Sequence, residues 1–242
     1  MTAPALPAPG FADPPRDAQR AFRTVLDALA HPTRSYPVAG PAEPPAALGR
    51  ALAAVALTLL DEDCDIWLGG ALGRDAEVAA WLAFHTGARR VADPSAADFV
   101  VTAPDALPPL ASLKLGTDEA PHLSATVVLD VRPDVDTDRD PAEFNTRLDT
   151  QFTTKSNTRY TTEANTRVTT RLNTRFTARF TAEGPGIDGI ATLAAPWAAG
   201  GFADAWQHNT ALFPRGVDLL LVDSSSIVGL PRTTRLTPYQ ED

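Results

Sequence analysis

The fold of this chain is decided by a run near the C-terminus, Asn209-Thr-Ala-Leu-Phe-Pro-Arg-Gly-Val-Asp-Leu-Leu-Leu-Val-Asp223, which continues through three serines into Ile227-Val-Gly-Leu-Pro-Arg-Thr-Thr234. Residues 217–222 are apolar apart from Asp218, which is the pattern of a strand buried on both faces. The serines allow a tight reversal into a second strand, and Pro231 ends that strand because it has no N–H to donate. The run therefore predicts an antiparallel hairpin.

Outward from this hairpin, helical and strand-like patterns alternate along the chain. Helices are predicted over 16–30, 46–60, 76–86 (capped by Asp75 and ended by Gly87) and 202–212. Short apolar runs predict strands over 65–68, 98–102 and 125–131. This alternation indicates an α/β fold, and the antiparallel hairpin indicates a mixed sheet flanked by helices.

Composition limits the class of protein. The chain has 242 residues, enough for one large domain, and its net charge of −9 argues against a nucleic-acid binder. The single Cys64 rules out an intramolecular disulfide and suits a reducing compartment. Because neither a signal peptide nor an apolar run long enough to span a membrane is evident, we expect a cytoplasmic protein. Residues 1–13 are predicted to be a disordered tail, followed by one domain over 14–242.

A repeat interrupts that domain over 136–182. From Asn145 to Phe180 the chain runs in tetrads such as Asn-Thr-Arg-Phe, which in a strand would put Thr and the apolar residue on one face and Arg on the other. An extended β-ribbon or a loose loop fits this pattern. The stretch 145–182 holds seven basic and two acidic residues, a net charge of +5. It is either a basic arm for an acidic partner or a repeat expansion tolerated at the surface.

Candidate site residues gather at the ends of the hairpin. Arg215 and Arg232 bracket it, with Asp218 and Thr233 close by in sequence. Guanidinium and hydroxyl groups at a strand end suit a phosphate or a carboxylate. The same residues also suit a solvated strand end or an ion pair at a protein interface.

Two further candidates lie elsewhere, and both have a structural interpretation. His85 is predicted near the C-terminal end of a helix, where it would interact with the helix dipole or act as a base. Asp17 is predicted at a helix start, as a cap or dipole partner. The four histidines and Cys64 show no metal-ligand spacing, so no metal is expected. Gly184-Pro-Gly-Ile-Asp-Gly189 matches a dinucleotide motif, but Pro185 and the short segment that follows indicate a tight turn.

Four separated blocks, taken in order, resemble the PhnH family, whose members belong to the carbon–phosphorus lyase core complex of bacterial phosphonate catabolism. The blocks are 16–32, 56–68, Phe84-His-Thr-Gly87 with 97–102, and Gly184-Pro-Gly-Ile187 with Leu212-Phe-Pro-Arg-Gly-Val-Asp218 and Pro231-Arg-Thr-Thr234. The chain departs from the family in having Pro32-Thr33 in place of Pro-Gly. It also has Pro121-His-Leu-Ser-Ala-Thr126 in place of Pro-Glu-x-Gly-Ala-Thr, and it carries the repeat.

The resemblance implies a reduced pyridoxal-phosphate transferase fold without the cofactor, a homodimer, and a place in a core complex with subunits G, I and J. It implies support for forming ribose 1-phosphonate 5-triphosphate from ATP and an alkylphosphonate, without catalysis by this subunit. One alternative is an enzyme subunit whose Arg215, Arg232 and His85 hold the triphosphate or phosphonate. Another is a degenerate pyridoxal-phosphate transferase, for which Lys114 and Lys155 are the only lysines.

Overall fold

The computed structural model describes residues 7–132, 178–198 and 200–239. Its helices are α1 Pro14–Ala30, α2 Gly49–Leu59, α3 Gly70–Arg74, α4 Ala76–Thr86 and α5 Phe202–Ala211. Its strands are β1 Ser35–Pro37, β2 Asp65–Leu68, β3 Arg89–Arg90, β4 Phe99–Thr102, β5 Thr126–Asp130, β6 Arg179–Glu183, β7 Ala191–Ala194, β8 Asp218–Val222, β9 Ser226–Leu230 and β10 Arg235–Pro238. All four predicted helices and all predicted strands are present, within a few residues of their predicted bounds.

The main sheet has seven strands in the order β1-β9-β8-β5-β4-β2-β3. Strands β8, β5, β4, β2 and β3 run parallel, whereas β9 is antiparallel to both of its neighbours, β8 and β1. The predicted hairpin is confirmed, because Leu219 of β8 pairs with Leu230 of β9. The predicted mixed sheet flanked by helices is therefore confirmed as well.

Both faces of the sheet are covered. Along β5, Val127 and Leu129 face one core and Val128 faces the other, as alternation in a strand requires. The first core is formed with α1, α2 and α4, and the second with α5 and a three-stranded antiparallel sheet of order β10-β6-β7. Burial on both faces explains the nearly continuous apolar runs of the central strands.

Helix α2 is enclosed on all sides, which is why its sequence is apolar around its whole circumference. Its residues 51–56 are all buried. Part of the cover comes from the N-terminal arm, residues 7–13. In the arm, Ala8 and Phe11 pack against the first core, and the Ala8 carbonyl accepts hydrogen bonds from Trp81 Nε1 and His85 Nε2, both at 2.8 Å.

These contacts correct the predicted disordered tail over 1–13. Ordered packing begins by Ala8, and residues 1–6 lie outside the described residues. The prediction failed because the arm is short and rich in Pro and Ala, a composition that looks like a tail. Its partners, Trp81 and His85, lie more than 70 residues away in the sequence.

The end of the predicted repeat insert also needs correction. Arg179–Glu183 is strand β6 of the small sheet, with Phe180 and Ala182 buried and Arg179 exposed. The last tetrad thus shows the predicted alternation, but it belongs to the core rather than to an insert ending at residue 182. The chain divides into a compact unit of 1–131 and 177–242 and a second unit, Arg132–Phe176. The other repeats lie outside the described residues, so their predicted form stays a prediction.

Candidate functional site at the amino ends of the strands

The hairpin itself brings two predicted site residues together. Asp218 is the first residue of β8, and Arg232 lies two residues after the end of β9. Because Leu219 pairs with Leu230, the chain beyond β9 runs past Asp218. Asp218 accepts a hydrogen bond from the Arg232 backbone N at 2.7 Å, which holds the turn after Pro231 against the start of β8.

The Arg232 guanidinium lies at the centre of a polar network. Its Nε and Nη2 donate to the two carboxylate oxygens of Asp218, at 3.1 and 2.5 Å. Its Nη1 donates to the carbonyls of Pro121 and Pro214, both at 3.2 Å, and Nη2 also donates to Ser124 Oγ at 2.6 Å. An arginine side chain has five N–H donors. All five are used, and the side chain is only 13% exposed.

We call these groups the Arg232 network: Arg232, Asp218, Ser124 and the carbonyls of Pro121 and Pro214. The network joins the turn before β5 to the loop before β8 and to the segment after β9. The two loops present Leu123 and Phe213, which are 50% and 63% exposed. A guanidinium with every donor occupied by protein cannot also bind an anion in this arrangement. It instead fixes the loops that carry two exposed apolar side chains.

Neighbouring residues support the same loops. The buried Asn209 side chain donates to the Val217 carbonyl and accepts from the Val217 N–H, which pins the chain just before β8. Arg215 Nε lies 3.1 Å from Asp118 Oδ1, in an ion pair between a half-buried arginine and an exposed aspartate. Thr233 is half-buried, and its carbonyl lies close to Gly184. Four predicted residues, Arg215, Asp218, Arg232 and Thr233, therefore lie in one region.

The other two candidates lie apart from this region. His85, on α4, contacts the Ala8 carbonyl and the rings of Trp81 and Phe84. Asp17, near the start of α1, accepts a hydrogen bond from the Asp13 backbone N at 3.1 Å and lies 3.4 Å from Arg20 Nη1. The Asp17 contact is the one expected of a residue that caps the start of a helix, whereas His85 is held by the N-terminal arm and not by the end of its own helix.

Ion pairs continue along the amino ends of the parallel strands. Asp65 at the start of β2 pairs with Arg89 at 2.6 Å, and Asp98 before β4 pairs with Lys114 at 2.5 Å. Asp98 also accepts from the Asp65 backbone N. The hydrogen bond from Arg89 lowers the pKa of Asp65 and raises that of Arg89. Lys114, one of the two lysines weighed for a Schiff base, is thus held by a carboxylate.

At the carboxyl ends of the same strands, the residues between β2 and β4 are closely packed. In open α/β sheets this edge is where ligands bind, beside the point where the strand order reverses. Here that point lies between β2 and β4. A Cβ built on Gly69 would lie 2.2 Å from Thr102 Oγ1, and one on Gly70 would lie 3.0 Å from the Ala106 Cβ. Thr102 is fully buried. Gly69 and Thr102 therefore pack closely at this crossing.

Other sequence predictions can be placed in the same way. The glycine motif 184–189 is the turn between β6 and β7, and Gly186 packs against the Ala30 carbonyl, so the tight-turn interpretation is confirmed.

Within the described ranges no three His, Cys, Asp or Glu side chains converge on a possible metal site. Burial raises the pKa of the Cys64 thiol to about 11. No helix in the described part is both long and apolar enough to cross a membrane.

Sequence reasoning missed Ser124, Pro121, Asp98 and Lys114 as partners at the amino ends. A usable signal was present for Asp98, because an acidic residue directly before a buried strand needs a partner. Arg232 could not be assigned its acceptors in this way. Pro121 and Ser124 are more than 100 residues distant in sequence, and Pro121 contributes only a backbone carbonyl.

Comparisons with known proteins give matches that cover nearly the whole chain. A family model described as bacterial phosphonate metabolism protein (PhnH) matches residues 9–237. A curated protein of Rhizobium meliloti (strain 1021) is 34% identical over 230 residues, which cover 93% of each chain. That relative is named alpha-D-ribose 1-methylphosphonate 5-triphosphate synthase subunit PhnH.

Proposed function

This chain belongs to the family of bacterial phosphonate metabolism proteins (PhnH), and from that premise we propose that it is a subunit of the carbon–phosphorus lyase core complex. In that role it supports the formation of ribose 1-phosphonate 5-triphosphate from ATP and an alkylphosphonate. Support comes from the name of the 34% identical relative, a subunit of a synthase whose product is a ribose methylphosphonate triphosphate.

The role of this subunit is architectural rather than catalytic. The observation that carries this proposal is the saturation of the Arg232 guanidinium by five protein acceptors. Arg232 is one of the three residues expected to hold a phosphonate or triphosphate if the subunit binds one, and its donors are used to fix two loops. His85 and Asp17 make structural contacts elsewhere, so the candidates do not form one anion site.

Arg215, Thr233 and the loops of the Arg232 network belong to an interface with another subunit. Phe213 and Leu123 stand exposed on loops held by buried polar contacts, so little conformational entropy is lost when a partner covers them. Preordered apolar side chains of this kind are typical of binding hot spots. The partners are the core subunits G, I and J, and the chain also forms a homodimer.

Further proposals follow from the family. The fold is a reduced pyridoxal-phosphate transferase fold, and the protein works in the cytoplasm without a metal or bound cofactor. Elemental analysis and an absorbance scan with added pyridoxal phosphate test the last point. Stoichiometric metal, or a Schiff-base absorption band that survives dialysis, would contradict it.

Co-expression with the other subunits tests the function itself. We expect the chain to co-purify with a tagged partner subunit, and the complex to release adenine from ATP in the presence of methylphosphonate. The isolated chain should release none. Arg215→Ala should weaken co-purification while leaving the isolated chain folded. Adenine release by the chain alone would show that it is itself an enzyme, and failure to co-purify would refute the assignment to the complex.

A further inference from the structure

We propose that a second surface of this subunit, distant in sequence from the Arg232 network, binds a basic and apolar surface of another subunit. The proposal rests on the proposed membership of a complex. The surface, which we call the acidic patch, consists of Ala80, Ala83, Phe84 and Glu77 on α4 and of residues 61–63 after α2. It combines an uncovered apolar helix face with a group of carboxylates that the fold does not neutralise.

The centre of the acidic patch is apolar. Ala80, Ala83 and Phe84 are all exposed, and Phe84 is exposed by 62%, one of the largest values for an apolar side chain in the described structure. The spacing of three and four residues puts them on one face of α4. The opposite face, with Val78, Trp81 and Leu82, is buried in the first core. Helix α4 therefore has an inner apolar face that is packed and an outer one that is not.

The rim of the acidic patch is negative. Asp61, Glu62 and Asp63 are all exposed and directly follow the C-terminal end of α2, which has no basic residue in its last turn. Negative charge at this end of a helix is unfavourable because the helix dipole is negative there. No ion pair joins these carboxylates or Glu77 to a basic group among the described residues. Asp61 accepts hydrogen bonds from the Asp63 backbone N and from Cys64 Sγ, so the charges open to a partner are those of Glu62, Asp63 and Glu77.

The two parts of the acidic patch are continuous. Gly87, which ends α4, would place a Cβ 3.2 Å from the Glu62 Cβ. Phe84 precedes Gly87 by three residues and lies on the same side of the helix. Glu62 thus lies beside the end of the helix that carries the exposed Phe84 ring. That combination matches a partner surface in which Lys or Arg residues surround an apolar side chain.

Other occupants fit less well. A metal ion is disfavoured because no three ligand side chains converge within the described ranges. A second copy of this chain is disfavoured at this surface, because a twofold contact through it would place the carboxylates of two identical acidic patches against each other. The exposed arginines of α1 do not change this, since Arg16 and Arg20 already lie near Asp13 and Asp17.

The test uses the full-length chain and the co-expressed complex. The test variant combines Glu62→Lys with Phe84→Ala. Its control combines Asp188→Lys with Ile190→Ala, which makes the same charge change beside an apolar residue that is 67% exposed on the turn between β6 and β7. We expect the test variant to bind its partner subunit at least about tenfold more weakly, and the control to bind like the unaltered chain. Added salt should weaken binding of the unaltered chain more than that of the test variant.

The outcomes separate the two proposals. If the unaltered chain binds no partner subunit, the proposed function and the acidic patch both fail. If the test variant binds as tightly as the unaltered chain, the acidic patch fails and membership of the complex stands. If the test variant alters only the chain's own oligomeric state, measured by light scattering, the occupant is a second copy and the proposal is wrong. Circular dichroism and a cooperative thermal melt establish that both variants fold.

Discussion

The amino ends of the parallel strands are held by ion pairs, whereas the carboxyl ends of β2 and β4 are packed around a glycine. At the amino ends, three acidic residues, Asp65, Asp98 and Asp218, each pair with a basic side chain. At the carboxyl ends, a Cβ added to Gly69 would lie 2.2 Å from Thr102 Oγ1, too close for any side chain. In most open α/β sheets the carboxyl ends hold the ligand and the amino ends are plain loops.

This difference indicates which role the polar residues at the ends of the sheet have. A nucleotide-binding sheet leaves a crevice at the point where its strand order reverses, whereas here Gly69 packs directly against Thr102 at that point. The polar residues that remain are committed to fixing loops at the other edge, where Phe213 and Leu123 are exposed. This arrangement is consistent with the proposed interface with another subunit.

The largest loss of stability is expected when Arg232, at the amino ends of the strands, is replaced. Arg232→Ala leaves the partly buried Asp218 carboxylate, Ser124 and two carbonyls without their donor, and losing one partner of a buried pair costs about 3–5 kcal/mol. We expect a fall in melting temperature of roughly 2–4 °C per kcal/mol for a chain of this size. Arg232→Lys is the matched control. It keeps the positive charge but cannot donate two parallel hydrogen bonds to the Asp218 carboxylate, so it should recover only part of the lost stability. A melt unchanged in Arg232→Ala would mean that the network does not hold the loops.

The carboxyl ends are tested by Gly69→Ala. The added Cβ would meet Thr102 Oγ1 at 2.2 Å and Trp67 Cζ3 at 2.6 Å, so neighbouring side chains must move. Overpacking of this kind costs about 1–3 kcal/mol, measurable by urea unfolding. Gly200→Ala is the control, because nothing lies within 4 Å of the added atom. Equal stability of the two variants would show that the space around Gly69 can accept an added carbon.

A smaller effect is expected at the exposed Asp65–Arg89 pair. Its hydrogen bond lowers the pKa of Asp65, so the contribution to stability is present above the unfolded pKa of about 3.9 and is lost as the pH falls through the lowered folded value. Arg89→Gln should return the pKa of Asp65 towards its ordinary value in an NMR titration. The melting temperature at neutral pH should hardly change, because the arginine is well exposed. An Asp65 titration that is the same in both proteins would contradict the assigned cause.

The smallest effect on the melting temperature is expected from replacing the segment that follows β5. Replacing residues 133–177 with a short Gly-Ser link should leave the melting temperature within a few degrees, because each doubling of loop length costs only about 0.6 kcal/mol. Extending the replacement to Phe180 removes a buried side chain and two residues of β6, and should be strongly destabilising. Loss of cooperative unfolding in the shorter replacement would show that the repeat belongs to the core.

Periodicity alone predicted the central architecture. The runs of β5 and β8 are apolar because both faces of the sheet are covered, and that pattern is visible without a structure. The edge strands β1 and β3 were missed because they have only three and two residues, too few for a pattern. Arg232 and Asp218 were found by their places at the hairpin ends, but the use of every donor was not foreseeable. It depends on carbonyls brought from distant loops by the folded chain.

The strand order has a consequence for synthesis on the ribosome. Strands β8 and β9 are made late but lie between β5 and β1, which are made much earlier. Until residues 218–230 emerge, β1 has no neighbour and one edge of β5 stays open, and unpaired edges of this kind promote aggregation. A nascent chain that stops short of Arg232 would carry an incomplete sheet and is therefore a natural target for chaperones and proteases. Only translation through the final hairpin produces a protein fit for assembly.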